Sequence, residues 1–420
     1  MPITFLIDVN NAFLSMHAAY LLQHGYETDL RTIPCIIGGS EKSRHGICLA
    51  KSYPAKAKGI KTAMTIKDCK ALCENLKVVS PDYSIYVAAS RQMNRIFSEY
   101  TMYLEKYSID ESFLSFEGHD LLYDDYIALA YEIKDRIKKE IDINVSVGIG
   151  NTKYTAKMAN NGCNPDSVNT LLTLDEIKEK MWSMDIRKLH GVGSQIEKKL
   201  RNYGINSIKD IVNIGPDFMK NIFKSNGSML YNYCWGRDTS IINNPKHQRT
   251  MSIGNSHTNR WNITNYEDAY NLITTLCETI SARLRNLDRR SMLISVAIKN
   301  TDFIVKRKQS KLKFSIAATS DIIFHAKRLF NLLWDCETPL RHIEVRVGEL
   351  VENDLPQQLI LFEEDQPDDR GEKIDNVIDE LRSRFGAQSI VRATLINSGY
   401  RAMSGGHPGG SDIPNMRSEL

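Results

Sequence analysis

Two adjacent acids in an apolar, β-prone run constrain this chain more than any other feature. Residues 107–116 read YSIDESFLSF, with Asp110 and Glu111 at the centre. Such a run is typical of a buried strand or hairpin, where a carboxylate is costly unless a cation or a hydrogen-bond donor compensates it. Neighbouring side chains of a regular strand point to opposite faces. Asp110 and Glu111 can therefore share a metal site only at a turn or bulge, and we predict that they lie at a hairpin tip. Taken alone, the pair also fits a strand end where one acid faces solvent and the other caps a turn.

A second carboxylate follows the same design near the start of the chain. Residues 3–9 read ITFLIDV and place Asp8 at the end of a predicted strand, before Asn10 and Asn11. Carboxylates presented from two strand ends suit a two-metal phosphoryl-transfer site, because Mg²⁺ takes oxygen ligands and is shared with substrate phosphates. Phe13 follows five residues after Asp8, in the turn that leads off the strand. Its ring could lie against the sugar of a nucleotide whose phosphates bind the metals.

Three segments together resemble the signature of Y-family (translesion) DNA polymerases. They are residues 8–13 (DVNNAF), 108–113 (SIDESF) and 53–60 (YPAKAKGI), and they match in order and spacing. Asn10, in place of a second acid, is closer to the UmuC-like branch than to the polymerase IV branch. The resemblance implies a multidomain α+β fold, that of a right-hand polymerase, with these parts: a palm (1–30 and 81–175), small fingers (31–80), a helical helix-hairpin-helix thumb (176–242), an α+β little finger (243–350) and a tail (351–420).

The resemblance also implies the roles of single residues. Two Mg²⁺ ions are expected at the catalytic acids Asp8, Asp110 and Glu111, together with the Val9 carbonyl. The incoming deoxynucleotide (dNTP) is expected at Phe13, Tyr53 and Lys56.

Two positions depart from the family pattern. Lys56 stands where many members have Arg. Lysine contacts a phosphate as a point charge, whereas arginine can bind it with two hydrogen bonds. Asn164 precedes Pro165 where the family has a lysine that reaches the triphosphate, and whether a neighbouring lysine replaces it stays open. Residues 47–61, around Lys56, also fit an ordinary lysine-rich surface helix.

Two further regions indicate a nucleic-acid partner, primer-template DNA. Residues 189–193 (LHGVG) are typical of a helix-hairpin-helix, whose turn at Gly191 and Gly193 exposes backbone amides to a phosphate. A hairpin that merely packs would have the same pattern. Residues 245–350 carry 17 basic and 10 acidic side chains, and neutralised phosphates release counterions. Within this predicted α+β domain the cations cluster near a strand, at Lys306, Arg307 and Lys308.

The tail is acidic, with 13 acidic and 7 basic side chains in residues 351–420, and indicates protein contacts rather than DNA. Its apolar peptide resembles the motif by which bacterial polymerases bind the sliding clamp (the β subunit), at Gln358, Leu359, Leu361 and Phe362. A strand that docks on the preceding domain is the alternative. Residues 372–386 predict an amphipathic helix with Ile374 and Val377 on its apolar face. A regulatory protein subunit is a further partner to consider.

Composition excludes several classes. The chain of 420 residues is 42% hydrophobic and 25% charged, and no apolar run approaches the roughly 18 residues of a membrane span. Asp8 interrupts the first apolar stretch, and the start is not basic as in a signal peptide. We therefore expect a cytoplasmic protein without membrane contacts. The eight cysteines are scattered, with no Cys-x-x-Cys pair, so we expect no zinc.

These observations favour a template-directed DNA polymerase that serves DNA repair and an SOS-type response by copying damaged templates. The alternative from another class is a non-catalytic DNA-binding accessory protein tethered to the sliding clamp, whose acids are structural. Nothing in that alternative requires three acids at strand ends. A two-metal nuclease is disfavoured because Phe13 has no evident use in one.

Overall fold

The computed structural model describes residues 3–39, 46–119, 122–161, 163–242, 250–353 and 369–403. Its strands and helices form two units. One unit comprises Met1–Gly38 and Ile47–Gln248, and the other comprises Gly39–Gly46 and Arg249–Leu420. No helix in these described ranges is long and apolar enough to cross a membrane.

A five-stranded sheet forms the centre of the first unit. Its order is β5-β6-β1-β7-β8, with β7 and β8 parallel and the other neighbours antiparallel. The strands are β1 (Thr4–Val9), β5 (Tyr103–Lys106), β6 (Glu111–Ser115), β7 (Val145–Gly150) and β8 (Val168–Leu171). The helices associated with it are α1 (Ala12–Gln23), α4 (Tyr83–Tyr100), α5 (Tyr126–Ile141) and α6 (Lys153–Ala159).

The two faces of this sheet carry different helices. Phe5 and Leu6 are adjacent on β1 and so point to opposite faces. The ring of Phe5 lies 6.4 Å from that of Tyr126 at the start of α5, whereas Leu6 packs with Phe113 and with Ala156 of α6. The order strand, helix, hairpin, helix, strand in residues 3–149 predicts an antiparallel sheet with helices on one face. This prediction is wrong in two respects: α5 and α6 cover opposite faces, and β8 runs parallel to β7.

Glycines on β7 allow α6 to approach so closely. A Cβ at Gly148 would lie 2.1 Å from the carbonyl oxygen of Ala156, and one at Gly150 would lie 2.3 Å from its amide nitrogen. The helix backbone therefore rests directly on the strand. Apolar periodicity does not reveal this contact, because the contact depends on missing side chains.

Two smaller parts complete the first unit. A three-stranded sheet of order β3-β2-β4 contains β2 (Cys35–Gly38), β3 (Cys48–Lys51) and β4 (Lys77–Val79), with α2 (Tyr53–Ala57) and α3 (Ile66–Leu72). A helical region contains α7 (Leu174–Lys180), a 3-10 helix (Ile186–Lys188), α8 (Ser194–Asn202), α9 (Ile208–Ile214), α10 (Pro216–Phe223) and α11 (Ser225–Cys234). Tyr154 and Met158 of α6 belong to the core of that helical region.

The second unit is built on an antiparallel four-stranded sheet of order β11-β10-β12-β9. Its elements are β9 (Ser252–Ile263), α12 (Tyr266–Asn286), β10 (Arg289–Asn300), β11 (Val305–Ile316), α13 (Thr319–Asn331), β12 (Leu340–Glu352), α14 (Asp369–Phe385) and a 3-10 helix (Ala393–Leu395). Apolar spacing predicts strands at 291–298 and 343–347 and helices at 270–285 and 322–333, and these four elements are confirmed in β10, β12, α12 and α13. The α+β class is confirmed in both units.

Helix α14 is present as predicted, but only part of its predicted apolar face is covered. Ile374 and Val377 are 60% and 57% exposed, whereas Ile378 and Leu381 are half-buried. The charged side chain of Asp375 is buried beside them and lies 3.0 Å from Arg285 of α12. A burial prediction from apolar spacing fails in part here because ion pairs, as well as apolar contacts, turn the helix towards its neighbours.

Candidate active site

The register of two strands brings the first and second acids together. Asp8 is the cross-strand partner of Glu111 in the antiparallel β1–β6 pair. Because side chains two residues apart share a face, both lie on the α6 side of the sheet, with Leu6. Asp110 closes the turn from β5, and its carbonyl accepts a hydrogen bond of 3.0 Å from the amide of Val9. The predicted hairpin tip is thus confirmed.

Ser108 shapes the turn that presents the acids. Its hydroxyl accepts a bond of 3.0 Å from the Glu111 amide and donates to the carboxylate of Asp110. The amides of Tyr107 and Ser108 both donate to the Glu111 carbonyl, at 3.1 and 3.0 Å. The backbone at this tip is therefore held by its own hydrogen bonds, whatever binds to the acids.

The site concentrates negative charge in a poorly solvated place. Burial, followed by the nearby charges of Glu111 and Asp110, raises the pKa of the Asp8 carboxyl to about 7, although the charge of Lys157 acts to lower it. Carboxylates so placed favour either a proton or another cation. The arrangement is that of an acid cluster which a bound cation would stabilise.

One protein cation already pairs with the cluster. Nζ of Lys157 on α6 donates to both carboxylate oxygens of Glu111 at 2.9 Å and lies 4.6 Å from the centre of the Tyr107 ring. Sequence reasoning missed this residue among the site residues. The available signal was its position four residues after Lys153, which places both lysines on one face of a helix.

Two of the three acids line a cleft of about 450 Å³ whose other wall belongs to the helical region. Asp8 and Glu111 line it together with Arg187, Lys188 and His190. Burial and the charge of Lys157 lower the pKa of His190. The cleft therefore sets a basic wall opposite the carboxylates, as binding of an anionic substrate beside a metal site would require. These three residues were not among the predicted site residues, since the pairing of the two walls is a long-range contact.

The oxygen donors of the three acids suit magnesium, although they are not yet arranged around an ion. In the part of the chain that the structure describes, no three His, Cys, Asp or Glu side chains stand as a formed metal cluster. Glu111 is bound to Lys157 and Asp110 to Ser108 in this conformation. The chemistry nevertheless fits: the groups present are carboxylate oxygens, the ligands that Mg²⁺ prefers, and the raised pKa of Asp8 marks uncompensated negative charge.

Phe13 is the second residue of α1, rather than part of the turn that precedes the helix. Its half-buried ring stacks on that of Tyr86 at 4.7 Å between centroids and meets the edge of Tyr83 at 5.8 Å. The ring is therefore held from the α4 side. Both a packing role and a role against a nucleotide are compatible with this position.

Tyr53 and Lys56 lie on the short helix α2, and both are exposed, Tyr53 to 44%. Partial burial of the phenol and the charge of Asp166, in the loop of residues 163–167, raise the pKa of Tyr53. In that loop Asn164 is exposed. Lys134 of α5 is a lysine near this loop, but its ammonium group forms an ion pair with Asp166 at 2.9 Å.

Asn10, the residue that suggested the UmuC-like branch, makes structural bonds. Its amide nitrogen donates to the hydroxyl of Ser146 at 2.9 Å, and its amide oxygen accepts from the backbone of Asp166 at 2.7 Å. The residue therefore ties the end of β1 to β7 and to the 163–167 loop.

The helix-hairpin-helix turn is present as predicted from its glycines. Gly191 has φ of +94°, a backbone conformation that favours glycine, and Gly193 caps the start of α8 without a side-chain bond. The amides at this start are consequently open to a ligand.

In the second unit, Lys306, Arg307 and Lys308 form a basic cluster on β11, the edge strand, and all three are exposed. Arg307 lies 3.2 Å from Glu344 of β12. The peptide around Gln358, Leu359, Leu361 and Phe362 lies outside the described residues.

Comparison with known proteins adds three family matches. Residues 7–161 match the family described as "impB/mucB/samB family", and residues 250–361 match its C-terminal domain. Residues 187–238 match a family described as "DNA polymerase-iota, thumb domain".

Curated relatives are similar over nearly the whole chain. A DNA polymerase IV of Clostridium acetobutylicum is 36% identical over 394 residues, which cover 94% of this chain and 98% of that protein. A DNA polymerase IV of Acetivibrio thermocellus is 34% identical, covering 93% of this chain and 96% of that one.

Solved structures support the fold. A Y-family polymerase chimera of Dbh and Dpo4 aligns with a TM-score of 0.72 and 21% identity, over 84% of this chain and 100% of that one. The insertion ternary complex of Dbh DNA polymerase aligns with a TM-score of 0.59 and 20% identity, at the same coverage.

Proposed function

Because the chain belongs to the impB/mucB/samB family of Y-family DNA polymerases, we propose that it adds deoxynucleotides to a primer 3′-hydroxyl under the direction of a template. The single observation that carries this reading is the cross-strand register of Asp8 with Glu111, beside Asp110. Two independent strand ends converge on one acid cluster that faces a cleft with a basic wall. A nucleotidyl transferase requires this combination, whereas a DNA-binding accessory protein does not.

The metal-binding residues in this proposal are Asp8, Asp110, Glu111 and the Val9 carbonyl. Two Mg²⁺ ions bound there would activate the primer hydroxyl and neutralise the leaving pyrophosphate. The chain itself supplies the rest. The Ser108 turn fixes where the acids stand, and Arg187 and Lys188 line the cleft beside them.

The nucleotide-binding residues in the proposal are Phe13, Tyr53 and Lys56. The ring of Phe13, held by Tyr86, would lie against the sugar and exclude a 2′-hydroxyl. Tyr53 and Lys56 would contact the triphosphate, with Lys56 acting as a point charge.

Primer-template DNA would be held through its backbone. The amides at Gly191 and Gly193 would take a phosphate without regard to sequence, and the basic cluster of β11 would grip a duplex electrostatically. Binding of this kind tolerates damaged bases, which fits the translesion role implied by the DNA polymerase IV name of the relatives. The proposed role includes synthesis past damaged bases during an SOS-type response to DNA damage.

The proposal also includes a family branch, two protein partners and a cellular compartment. The UmuC-like branch rests on Asn10 alone, against the name that the relatives carry, and the bonds of Asn10 to Ser146 and Asp166 give it a use in either branch. We propose a sliding clamp as partner because of the motif at residues 358–362. We propose a regulatory subunit because the tail is acidic. The cytoplasm is the compartment in which such a polymerase meets chromosomal DNA.

A primer-extension assay tests the proposal. The chain should extend a labelled primer by the templated nucleotides with Mg²⁺ and should stop when EDTA is added. Binding of primer-template without any extension under Mg²⁺ would instead support the accessory protein.

A further inference from the structure

Lys157 occupies the position of a counter-ion in the acid cluster. Its ammonium group is shared equally between the two oxygens of Glu111, at 2.9 Å each, and its Nζ lies over the face of Tyr107. The side chains of Lys157 and Glu111 are only 22% and 19% exposed. Both carboxylate oxygens that a metal would use on Glu111 are therefore engaged by the protein itself.

A second pair of the same construction stands one helical turn earlier. Nζ of Lys153 lies 2.5 Å from Glu105 of β5 and 5.2 Å from the centre of the Phe113 ring. Glu105 is the cross-strand partner of Phe113, not of Asp8. The Lys153–Glu105 pair thus reproduces the chemistry of Lys157–Glu111 on the same helix, but away from the acid cluster.

We propose that Lys157 is a built-in competitor of the divalent metal: it holds Glu111 until a metal arrives together with nucleotide. The inference rests on the proposed function, because it takes Glu111 as a metal ligand. A metal ion that binds Glu111 competes with the ammonium group for the same two oxygens and is repelled by its charge, so metal binding alone is weakened. The displaced ammonium remains in a cleft that also contains Arg187 and Lys188.

Nucleotide changes this balance through its own charge. A triphosphate brings negative charge into a cleft where Lys157, Arg187 and Lys188 and the incoming metal would otherwise repel one another. Metal and nucleotide consequently favour each other's binding, and this coupling is reciprocal. The alternative is that Lys157 only positions Glu111 for the metal. The two readings predict opposite effects when the ammonium group is removed.

The test measures Mn²⁺ binding to the full chain, without DNA, from the electron paramagnetic resonance signal of free Mn²⁺. Lys157→Met keeps the length of the side chain and removes its charge. It should bind Mn²⁺ alone about tenfold more tightly than the wild type, and the gain in affinity caused by adding dCTP should shrink by a similar factor. Lys153→Met is the matched control and should behave as the wild type. Lys157→Arg, which keeps the charge, should stay within about threefold of the wild type.

Unchanged or weaker Mn²⁺ binding by Lys157→Met, in a protein that melts as the wild type does in EDTA, would overturn the inference. If Lys157→Met melts at a lower temperature, Lys157→Gln removes the charge with a polar side chain, and its Mn²⁺ affinity below its melting temperature decides: tighter binding than the wild type supports the inference, and equal or weaker binding overturns it. Failure of the proposed function has a different signature: the wild type would bind no Mn²⁺ even with dCTP, or Asp8→Asn would bind it normally.

Discussion

Replacing Asp8 by Asn should stabilise the metal-free protein while it abolishes catalysis. Burial and the neighbouring acids raise the pKa of Asp8 from 3.8 to about 7. Between these two values the folded state keeps a proton that the unfolded state has lost, so the free energy of unfolding falls as pH rises through this window. Above pH 7 the full penalty is present. A shift of about three pKa units corresponds to at most about 4 kcal/mol.

The expected gain for Asp8→Asn in EDTA at pH 8 is about 2–4 kcal/mol, because asparagine carries no charge to desolvate. For a unit of this size, that corresponds to a rise in melting temperature of roughly 5–15 °C. Near pH 4 the advantage should vanish, since Asp8 is then protonated in the folded protein. The assay is thermal unfolding of wild type and mutant from pH 4 to pH 8. Asp124→Asn, which changes an exposed carboxylate of the same unit, is the control.

Magnesium supplies the second half of this test. With Mg²⁺ and dCTP the wild type should gain melting temperature and Asp8→Asn should not, because binding to the folded state alone stabilises it. Equal melting temperatures of wild type and Asp8→Asn at pH 8, or a less stable mutant, would refute the reasoning that uncompensated charge is stored at this position.

Three further outcomes are expected. Phe13→Ala should raise the use of ribonucleotides relative to deoxynucleotides by a factor of about ten to a thousand, since close-packed sites reject a misfit atom strongly; unchanged discrimination with a large loss of melting temperature would make Phe13 a packing residue. Gly148→Ala should destabilise the protein by about 1–3 kcal/mol or more, because its Cβ would meet the α6 backbone, whereas Gly193→Ala, whose Cβ meets nothing within 4 Å, should melt nearly as the wild type. Alanines in the basic cluster of β11 should reduce the slope of log K against log salt for duplex DNA by about 2–3, measured by fluorescence anisotropy, and an unchanged slope would show that these cations do not contact phosphates.

Local patterns predicted the turn at Asp110 and Glu111 well. Adjacent side chains of a strand point to opposite faces, so two adjacent acids can share one site only where the strand turns. The structure has a hairpin tip at this position. The strands and helices of the second unit were likewise readable from their apolar spacing. In each case the information lies within about ten consecutive residues.

Long-range contacts were beyond such reasoning. The cross-strand partner of Asp8 depends on which strands become neighbours, and the placement of Lys157 depends on how α6 crosses the sheet. Gly148 and Gly150 permit that crossing because they have no side chains. For the same reason they give no signal in a pattern of apolar side chains. Buried ion pairs explain the remaining error, because the Arg285–Asp375 pair buries a charged side of α14 while part of its apolar face stays exposed.

Buried polar groups can also lack any compensating contact. The hydroxyl of Tyr154 is buried without a hydrogen-bond partner among the described residues. Tyr154→Phe should therefore be as stable as the wild type or more stable, by about 1 kcal/mol. A clear loss of stability on thermal unfolding would mean that this hydroxyl has a partner.

Single-turnover extension by Asp110→Asn tests the central claim most directly. The substitution keeps the size of the side chain and removes one carboxylate from the acid cluster. Primer-template affinity should stay within about threefold of the wild type, because the proposed DNA contacts lie elsewhere. The rate of nucleotide addition should fall about a thousandfold or more, as expected when several kcal/mol of transition-state stabilisation are lost. Nucleotide addition at a rate near that of the wild type would contradict the assignment of this cluster as the catalytic centre.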